Sequence, residues 1–215
     1  MDTIKTLAEG IQNAAATANE AGRKELLDSL RDLQYSIEKP EDTMQRVIHL
    51  KPLFVDIGGA SGQQCIEFRK RFPDIEGRVI SQDLPGEIEH AMSQGLPDGV
   101  EAMVRDFYTP QQGAKFYYLR AILHDHLDDK AILILKNIMQ VMEKDALILL
   151  DEMVLPNCNV DWFATQTDLT MLAAFGSMER TEAQWKSPLE SVGLKLRRTV
   201  TYTQAFRLSI IAASL

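Results

Sequence analysis

Apolar residues follow one spacing in the first part of the chain and a different one in the rest. Ile4, Leu7 and Ile11 recur at helical intervals, and a second apolar stripe runs from Leu26 to Ile37. Such stripes predict amphipathic helices with one face that must be buried. We therefore expect residues 1–50 to form a short helical extension that packs on the main domain or on a second copy of the chain.

From residue 51 onward, short apolar runs alternate with amphipathic segments. The predicted strands are 53–57, 77–83, 99–104, 115–123, 145–155, 194–200 and 206–214. The predicted helices are 61–71, 86–94, 128–142, 161–174 and 181–191. Repeated strand–helix alternation implies a parallel sheet covered on both faces. The last two strands are joined by too short a segment for a parallel crossover, so they must form an antiparallel hairpin. The predicted fold class is α/β, with a Rossmann-like seven-stranded sheet over residues 51–215.

The composition of the chain limits the kinds of partner that it can be expected to bind. The chain has 215 residues, 45% of them hydrophobic, which suits one main core with an appendage. Its formal net charge of −8 would repel a phosphate backbone, so we expect no nucleic acid partner. No apolar stretch approaches the roughly 20 residues that cross a bilayer, and the first residues lack a secretory leader pattern. Cys65 and Cys158 stand apart without further metal-ligand spacing. These features predict a cytoplasmic protein without a metal.

The strongest local signal is a glycine-rich segment directly after the first apolar strand. Gly58, Gly59 and Gly62 follow a strand end, and Asp56 lies two residues before the first of them. Glycines at such a turn let the backbone approach a ligand closely. The spacing differs from the GxGxxG pattern that holds a pyrophosphate. A carboxylate at this place suits a ligand with an ammonium group, such as S-adenosylmethionine (SAM), although a purely structural turn explains the glycines as well.

Further polar residues follow the next strands in order. Asp83 comes 21 residues after Gly62, where a carboxylate can accept hydrogen bonds from both hydroxyls of a ribose. Asp106 and Phe107 offer a polar contact and an apolar surface for an adenine, and Arg120 ends the fourth strand. Each of these residues could instead be a cap, a turn or a core residue. Their order and spacing together favour a nucleoside ligand at the carboxyl edge of the sheet.

Several segments in a fixed order carry a family resemblance. They are VDIGGASG, GRVISQDLP, RDFYTPQ, YYLRAILHDHLDD, LLDEMVLP and DLTMLAAFGSMERTEAQW. Over residues 53–213 the chain resembles the caffeate-type O-methyltransferases, and their fungal secondary-metabolite members above all. The resemblance implies a seven-stranded methyltransferase sheet and SAM as cofactor, with S-adenosylhomocysteine as product. The cofactor-binding positions that it implies are Asp56, Gly58, Gly59, Asp83, Leu84, Asp106, Phe107 and Arg120.

The resemblance also implies a general base. His124 matches the family's catalytic histidine, and Glu152 and Glu179 match the acidic residues that orient it. This chemistry suits a phenolic acceptor, because a phenol with a pKa of about 10 is mostly protonated at neutral pH. A histidine with an ordinary pKa near 6.5 can take that proton while the oxygen attacks the methyl group.

Two departures from the family pattern stand out. His126 occupies the place where the family usually has a tryptophan near the cofactor. The family also has a much longer N-terminal dimerisation domain, of which residues 1–50 look like only the opening helices. Because relatives dimerise through these helices, we expect a homodimer.

Three functional hypotheses remain open at this stage. The first is an O-methyltransferase that acts on a hydroxyl, in particular a phenolic one, of a small aromatic or polyketide-like metabolite. The second is a SAM-binding chain of the methyltransferase type that lacks methyl transfer. The third is an enzyme that uses bound SAM without transferring its methyl group.

Overall fold

The computed structural model describes residues 10–11, 13–19, 22, 26, 29–30 and 51–215. The chain divides into two compact units, Met1–Val47 and Ile48–Leu215. In the first unit, residues 10–11, 13–17, 22, 26 and 29–30 are helical. Most of the two apolar stripes lies outside the described residues. The interpretation of residues 1–50 as the remnant of a dimerisation domain therefore stays a prediction.

The second unit alternates strands and helices as the hydrophobic pattern predicts. Its strands are β1 (Pro52–Ile57), β2 (Arg78–Asp83), β3 (Val100–Val104), β4 (Phe116–Arg120), β5 (Leu147–Leu155), β6 (Arg180–Thr181), β7 (Lys195–Thr203) and β8 (Leu208–Ser214). Its α-helices are α1 (Gln63–Arg71), α2 (Pro85–Gln94), α3 (Asp128–Met139), α4 (Trp162–Phe175) and α5 (Glu182–Ser191). A 3₁₀-helix spans Leu123–Asp125.

Seven strands form the main path of one sheet in the order β3-β2-β1-β4-β5-β8-β7. Neighbouring strands from β3 to β5 are parallel, whereas β8 runs antiparallel to both β5 and β7. The predicted α/β fold with a terminal antiparallel hairpin is confirmed. The additional strand β6 pairs with the end of β5. It was not predicted, because two residues are too few to show a hydrophobic period.

The core lies where α3 covers the sheet. Ala131, Ile134, Leu135 and Ile138 recur at helical spacing, are fully buried, and belong to one cluster with residues of β4 and β5. Burial of such side chains is the main favourable contribution to folding. The helix ends at Met139, although the pattern predicted an end at Met142. Met142 is buried in the same cluster without being helical, which explains the overlong prediction.

The chain leaves β4 earlier than the sequence pattern indicates. Residues 115–123 were predicted as one strand, but β4 ends at Arg120 and Ala121 has a φ of 51°. The run from Ala121 to Leu123 is apolar because Leu123 is fully buried, and not because the strand continues. This early turn places the 3₁₀-helix at the carboxyl edge of the parallel strands, which is where such sheets bind ligands.

Trp185 of α5 gives a direct test of this packing. Its ring is fully buried and its Nε1–H donates to Met153 O over 3.1 Å. Trp185→Phe should lower the free energy of unfolding by about 1–3 kcal/mol, because it loses packing volume and leaves a buried carbonyl without its donor. Trp162→Phe is the control, since Trp162 is 73% exposed and should change stability by less than about 0.5 kcal/mol. Urea unfolding followed by circular dichroism measures both, and equal effects would contradict the packing described.

Candidate active site

The glycine segment forms a tight loop between β1 and α1. The N–H groups of Gly58 and Gly59 both donate to Gln82 O, at 2.8 and 3.0 Å. Gly58 has a φ of 73°, and a Cβ at this residue would overlap the side chain of Ile122. A Cβ at Gly59 would overlap Ser81 Oγ. The two glycines are therefore needed to seat the loop between β2 and the segment that follows β4.

Asp83 ties this loop to the end of β2. Its Oδ2 accepts the N–H of Ala60 at 2.8 Å, and its Oδ1 accepts the N–H of Leu84 at 2.7 Å. A carboxylate has about four acceptor positions, so two remain for other donors. Asp83 is partly exposed, and the neighbouring Leu84 is 50% exposed. The side chain can thus hold the loop and bind a ligand's hydroxyl groups at the same time.

Asp56 lies beneath the loop. Its carboxyl group is buried, and its Oδ2 lies 2.8 Å from the position that a Cβ on Gly59 would take. Among the described residues, neither this oxygen nor Ser81 Oγ has a hydrogen-bond partner. Burial raises the pKa of Asp56 to about 7, the charge of Asp83 adds to the increase, and Arg120 acts in the opposite direction. A cation above the loop would favour the charged form of Asp56, whereas direct contact with a cofactor stays a prediction.

An aromatic group follows β3 on the same edge. The Asp106 Oδ1 accepts the N–H of Tyr108 at 2.8 Å, which fixes the turn that presents Phe107. The ring centroid of Phe107 lies 4.9 Å from that of Tyr108 and 5.6 Å from that of His126. The Tyr108 hydroxyl lies 3.3 Å from His126 Nδ1. Burial lowers the pKa of His126 below its ordinary value. His126 thus serves as an aromatic member of this group.

The 3₁₀-helix after β4 carries His124 next to two buried carboxyl groups. His124 Nδ1 lies 2.9 Å from Glu179 Oε1 and 4.0 Å from Glu152 Oε2. His124 Nε2 lies 3.4 Å from Asp125 Oδ1. Glu152 Oε1 is itself bound to the turn, because it accepts the N–H groups of Ile122 at 3.2 Å and Leu123 at 2.9 Å. The three residues that the family resemblance indicated as catalytic are therefore adjacent in space.

The electrostatics of this group favour a basic imidazole. Burial alone would lower the pKa of His124, but the hydrogen bond to Glu179 and the negative charges of Glu152, Glu179 and Asp125 outweigh it and raise the pKa. Burial raises the pKa of Glu152 to about 8, with the attraction of His124 acting against it. Glu179 Oε1, 2.9 Å from His124 Nδ1, is the carboxyl oxygen nearest to the imidazole.

His124 faces a cavity of about 390 Å³. Its wall is mostly apolar and includes Phe163 of α4 and Phe206 of the β7–β8 turn, whose ring centroids are 4.8 Å apart. Arg120 and Asp151 add a polar side, with Arg120 Nε 3.5 Å from Asp151 Oδ2. An apolar concave wall with a few convergent polar groups is typical of a small-molecule site. Arg120 lines the same cavity as His124, and its contact with a cofactor stays a prediction.

Sequence reasoning missed two residues that organise the site. Asp151 accepts hydrogen bonds from the hydroxyl groups of Tyr118 and Tyr202 in addition to pairing with Arg120. A carboxylate inside the apolar run of β5 was a signal that could have identified it. Arg180 is buried beneath the turn that carries His124. Nothing in the sequence pattern indicates that Arg180 is buried. A charged residue between two predicted helices is usually solvated.

Three further features of the described residues concern metal binding, membrane-spanning helices and thiols. Among these residues, no group of three or more His, Cys, Asp or Glu side chains is arranged to hold a metal ion. None of the helices in the part of the chain that the structure describes is long and apolar enough to span a membrane. Cys65 and Cys158 are both free thiols, the first buried in the core and the second exposed.

Comparisons with known proteins agree with the segments that carried the resemblance. Residues 10–195 match the family model described as O-methyltransferase domain. The chain is 49% identical over 147 residues to the O-methyltransferase ucdC of Aspergillus ustus, an alignment that covers 67% of this chain and 38% of that protein. It is 43% identical over 148 residues to the demethylsterigmatocystin 6-O-methyltransferase stcP of Emericella nidulans, covering 68% of this chain and 71% of that protein.

A solved structure shares the fold. The structure of LepI in complex with SAM has a TM-score of 0.74 and 43% sequence identity to this chain, and the match covers 77% of this chain and 43% of that one. The chain thus spans about two fifths of the length of several of the proteins it matches.

The glycine loop gives a second test. Gly59→Ala should lower the free energy of unfolding by about 1–3 kcal/mol, because the new Cβ must displace Ser81 Oγ and Asp56 Oδ2 inside a packed region. In the control Gly86→Ala, the Cβ meets nothing within 4 Å, and alanine should leave stability unchanged or raise it by up to about 1 kcal/mol. Thermal and urea unfolding measure the stability of both variants. A Gly59→Ala variant as stable as the parent would show that the loop is not packed this tightly.

Proposed function

The chain belongs to the O-methyltransferase domain family, and from this premise we propose that it binds SAM and transfers the methyl group to a hydroxyl oxygen of a small molecule. The acceptor that we propose is a phenol, on an aromatic or polyketide-like metabolite of fungal secondary metabolism. The single observation that carries the proposal is the hydrogen-bonded pair of His124 and Glu179 in the wall of an apolar cavity.

The residues of the carboxyl edge suit the cofactor chemically. Asp83 keeps two acceptor positions for the ribose hydroxyl groups, while Leu84 and Phe107 offer apolar surface to the adenine, with Asp106 as a polar neighbour. An ammonium group above the loop would favour the ionised form of Asp56, whose unpartnered oxygen lies beneath the loop. When bound, SAM supplies an electrophilic methyl group on a sulfonium centre. S-adenosylhomocysteine is the second product.

His124 acts as the general base in this proposal. Its Nδ1–H donates to Glu179, which leaves the lone pair of Nε2 as the proton acceptor. Nε2 takes the proton of the acceptor's hydroxyl group while the oxygen forms its bond to the methyl carbon. Glu179 and Asp125 stabilise the imidazolium that results, and the proton then passes to solvent. The net change is an O–H bond exchanged for an O–CH₃ bond, with one proton released.

The cavity can orient a flat acceptor next to His124. Phe163 and Phe206 form an apolar wall beside His124, against which a flat ring can pack. Holding the hydroxyl close to Nε2 in a fixed orientation lowers the entropic part of the barrier. Thr167, one turn after Phe163 in α4, lines the same wall. The size of about 390 Å³ suits a small aromatic acceptor.

We extend the proposal to assembly and location. The apolar helical stripes before residue 50 support a homodimer through the N-terminal helices, and the composition and free thiols support a cytoplasmic protein. Activity assays with a panel of phenols would identify the acceptor. Tight SAM binding without turnover of any phenol would favour a binding chain that lacks methyl transfer. A rearranged product without S-adenosylhomocysteine would favour a non-methylating enzyme.

Cofactor binding is tested first, because it needs no acceptor. Asp83→Asn should weaken the affinity for SAM and S-adenosylhomocysteine by about tenfold or more, since an amide provides fewer and weaker acceptor positions than a carboxylate. Isothermal titration calorimetry measures the dissociation constants. Asp74→Asn, an exposed aspartate after α1, is the control and should bind both compounds like the parent. An unchanged affinity in Asp83→Asn would remove Asp83 from the cofactor site.

The base assignment is tested by substitution and by pH. His124→Gln should lower kcat by roughly 10²- to 10⁴-fold while SAM affinity stays within about twofold of the parent. The base works only when neutral, so activity is lost as pH falls through the raised pKa of His124. Glu179→Gln removes a charge that raises this pKa, and the acid limb of kcat/KM should therefore move to lower pH.

A matched surface variant controls for general charge effects. Glu190→Gln removes a carboxylate of α5 that lies 3.5 Å from Lys186, and its pH profile should coincide with that of the parent. If His124→Gln transferred methyl groups as fast as the parent, the histidine would not be the base. If Glu179→Gln left the acid limb unmoved, Glu179 would not set the pKa of the base.

A further inference from the structure

The turn that carries His124 is held by a buried arginine. Arg180 is 1% exposed, and its Nη1 donates to Leu123 O at 3.0 Å while its Nη2 donates to His126 O at 2.7 Å. These two carbonyl groups flank His124 on both sides. The planar guanidinium can bind both at once because its N–H groups point in fixed directions.

The charge of Arg180 is itself compensated. Its Nε and Nη2 donate to Asp128 Oδ1 at 3.1 and 2.8 Å. Its guanidinium carbon lies 4.9 Å from the centre of the Trp185 ring, which is fully buried. A buried charge is tolerated only with such partners, and well-packed apolar residues often give the same stability. Stability alone therefore does not account for an arginine at this place.

Other contacts hold the same turn from different directions. Ser177 Oγ donates to His124 O, and Glu152 accepts the N–H groups of Ile122 and Leu123. Arg180 also follows Glu179 directly in the chain, and its pairing with Val154 fixes the strand β6 against β5. One residue thus contacts the turn of the base and sets the backbone next to the base's carboxylate partner.

We propose that Arg180 is a positioning residue, which fixes the separation of His124 Nδ1 and Glu179 Oε1 and thereby the orientation of the base. This inference rests on the proposed function where turnover is concerned, but the histidine–carboxylate geometry can be measured without turnover. Ser177 and Asp128 support the same arrangement, the first by holding His124 O and the second by holding the guanidinium.

The test compares Arg180→Met and Arg180→Lys with Arg78→Met. Arg78 is a matched control, because it also forms a two-pronged ion pair, with Glu101, but at the amino end of β2 and away from His124. Arg180→Met should lower kcat by roughly 10- to 100-fold, with KM and SAM affinity changed by less than about threefold. Arg180→Lys should recover part of kcat, since an ammonium can bind one of the two carbonyl groups. Arg78→Met should keep the parent's kcat.

A titration of the histidine separates positioning from charge. The groups that face His124 are Asp125, Glu152 and Glu179. Removing the positive charge of Arg180 by itself would raise the pKa of His124, whereas loss of the bond to Glu179 would lower it. NMR titration of the His124 imidazole should show a lower pKa in Arg180→Met and an unchanged pKa in Arg78→Met. An unchanged or raised pKa in a folded Arg180→Met, together with an unchanged kcat, would overturn the proposal.

Two milder variants keep the test decisive if Arg180→Met does not fold. Ser177→Ala and Asp128→Asn each remove one support of the turn, and Asp128 is a half-exposed side chain that tolerates replacement. Each should lower the pKa of His124 and reduce kcat, by less than Arg180→Met is expected to. If both fold and match the parent in both measurements, the positioning role is wrong. Absence of turnover in the parent would instead contradict the proposed function, and the NMR comparison would still decide the role of Arg180.

Discussion

The hydrogen bond between His124 Nδ1 and Glu179 Oε1 is the constraint on which the site depends. The two residues are 55 positions apart, and their atoms lie 2.9 Å from each other in a largely buried environment. They meet because His124 follows β4 and Glu179 precedes β6, and β5 lies between these two strands. Glu152, at the centre of β5, completes the group from below. His124 therefore lies at the carboxyl ends of the central strands β4 and β5, next to the closely packed core.

The glycine loop is in contact with the turn that carries His124. Gly58 leaves no room for a side chain because Ile122 occupies that space, and the N–H of Ile122 is bound by Glu152. The proposed cofactor edge thus lies next to the turn that carries His124. A methyl group has to pass between two ligands over a short distance, and this proximity is what such a transfer needs.

The buried ionisable side chains at this edge differ in their hydrogen-bond partners. Asp56 lacks hydrogen-bond partners for Oδ2 within the described residues, and burial raises its pKa to about 7. Glu152 keeps backbone donors on one oxygen, and Arg180 has an ion pair, two carbonyl groups and an aromatic face. The carboxyl groups are placed where their protonation can respond to a ligand. The arginine is placed where its geometry fixes the turn. This contrast favours an electrostatic role for Asp56 and Glu152 and a positioning role for Arg180.

The sequence by itself determined the order of the long strands and helices and the terminal hairpin, because apolar period and connection length are local properties of the chain, and the resemblance of several segments indicated the family. The resemblance also indicated His124, Glu152 and Glu179 as one catalytic group, and the structure brings them together. The tertiary structure alone decided that β4 ends at Arg120, since the apolar run to Leu123 is equally compatible with a strand and with a buried turn. It alone placed Arg180 beneath the turn that carries His124. The partners of a buried charge come from distant segments, and a local pattern carries no information about them.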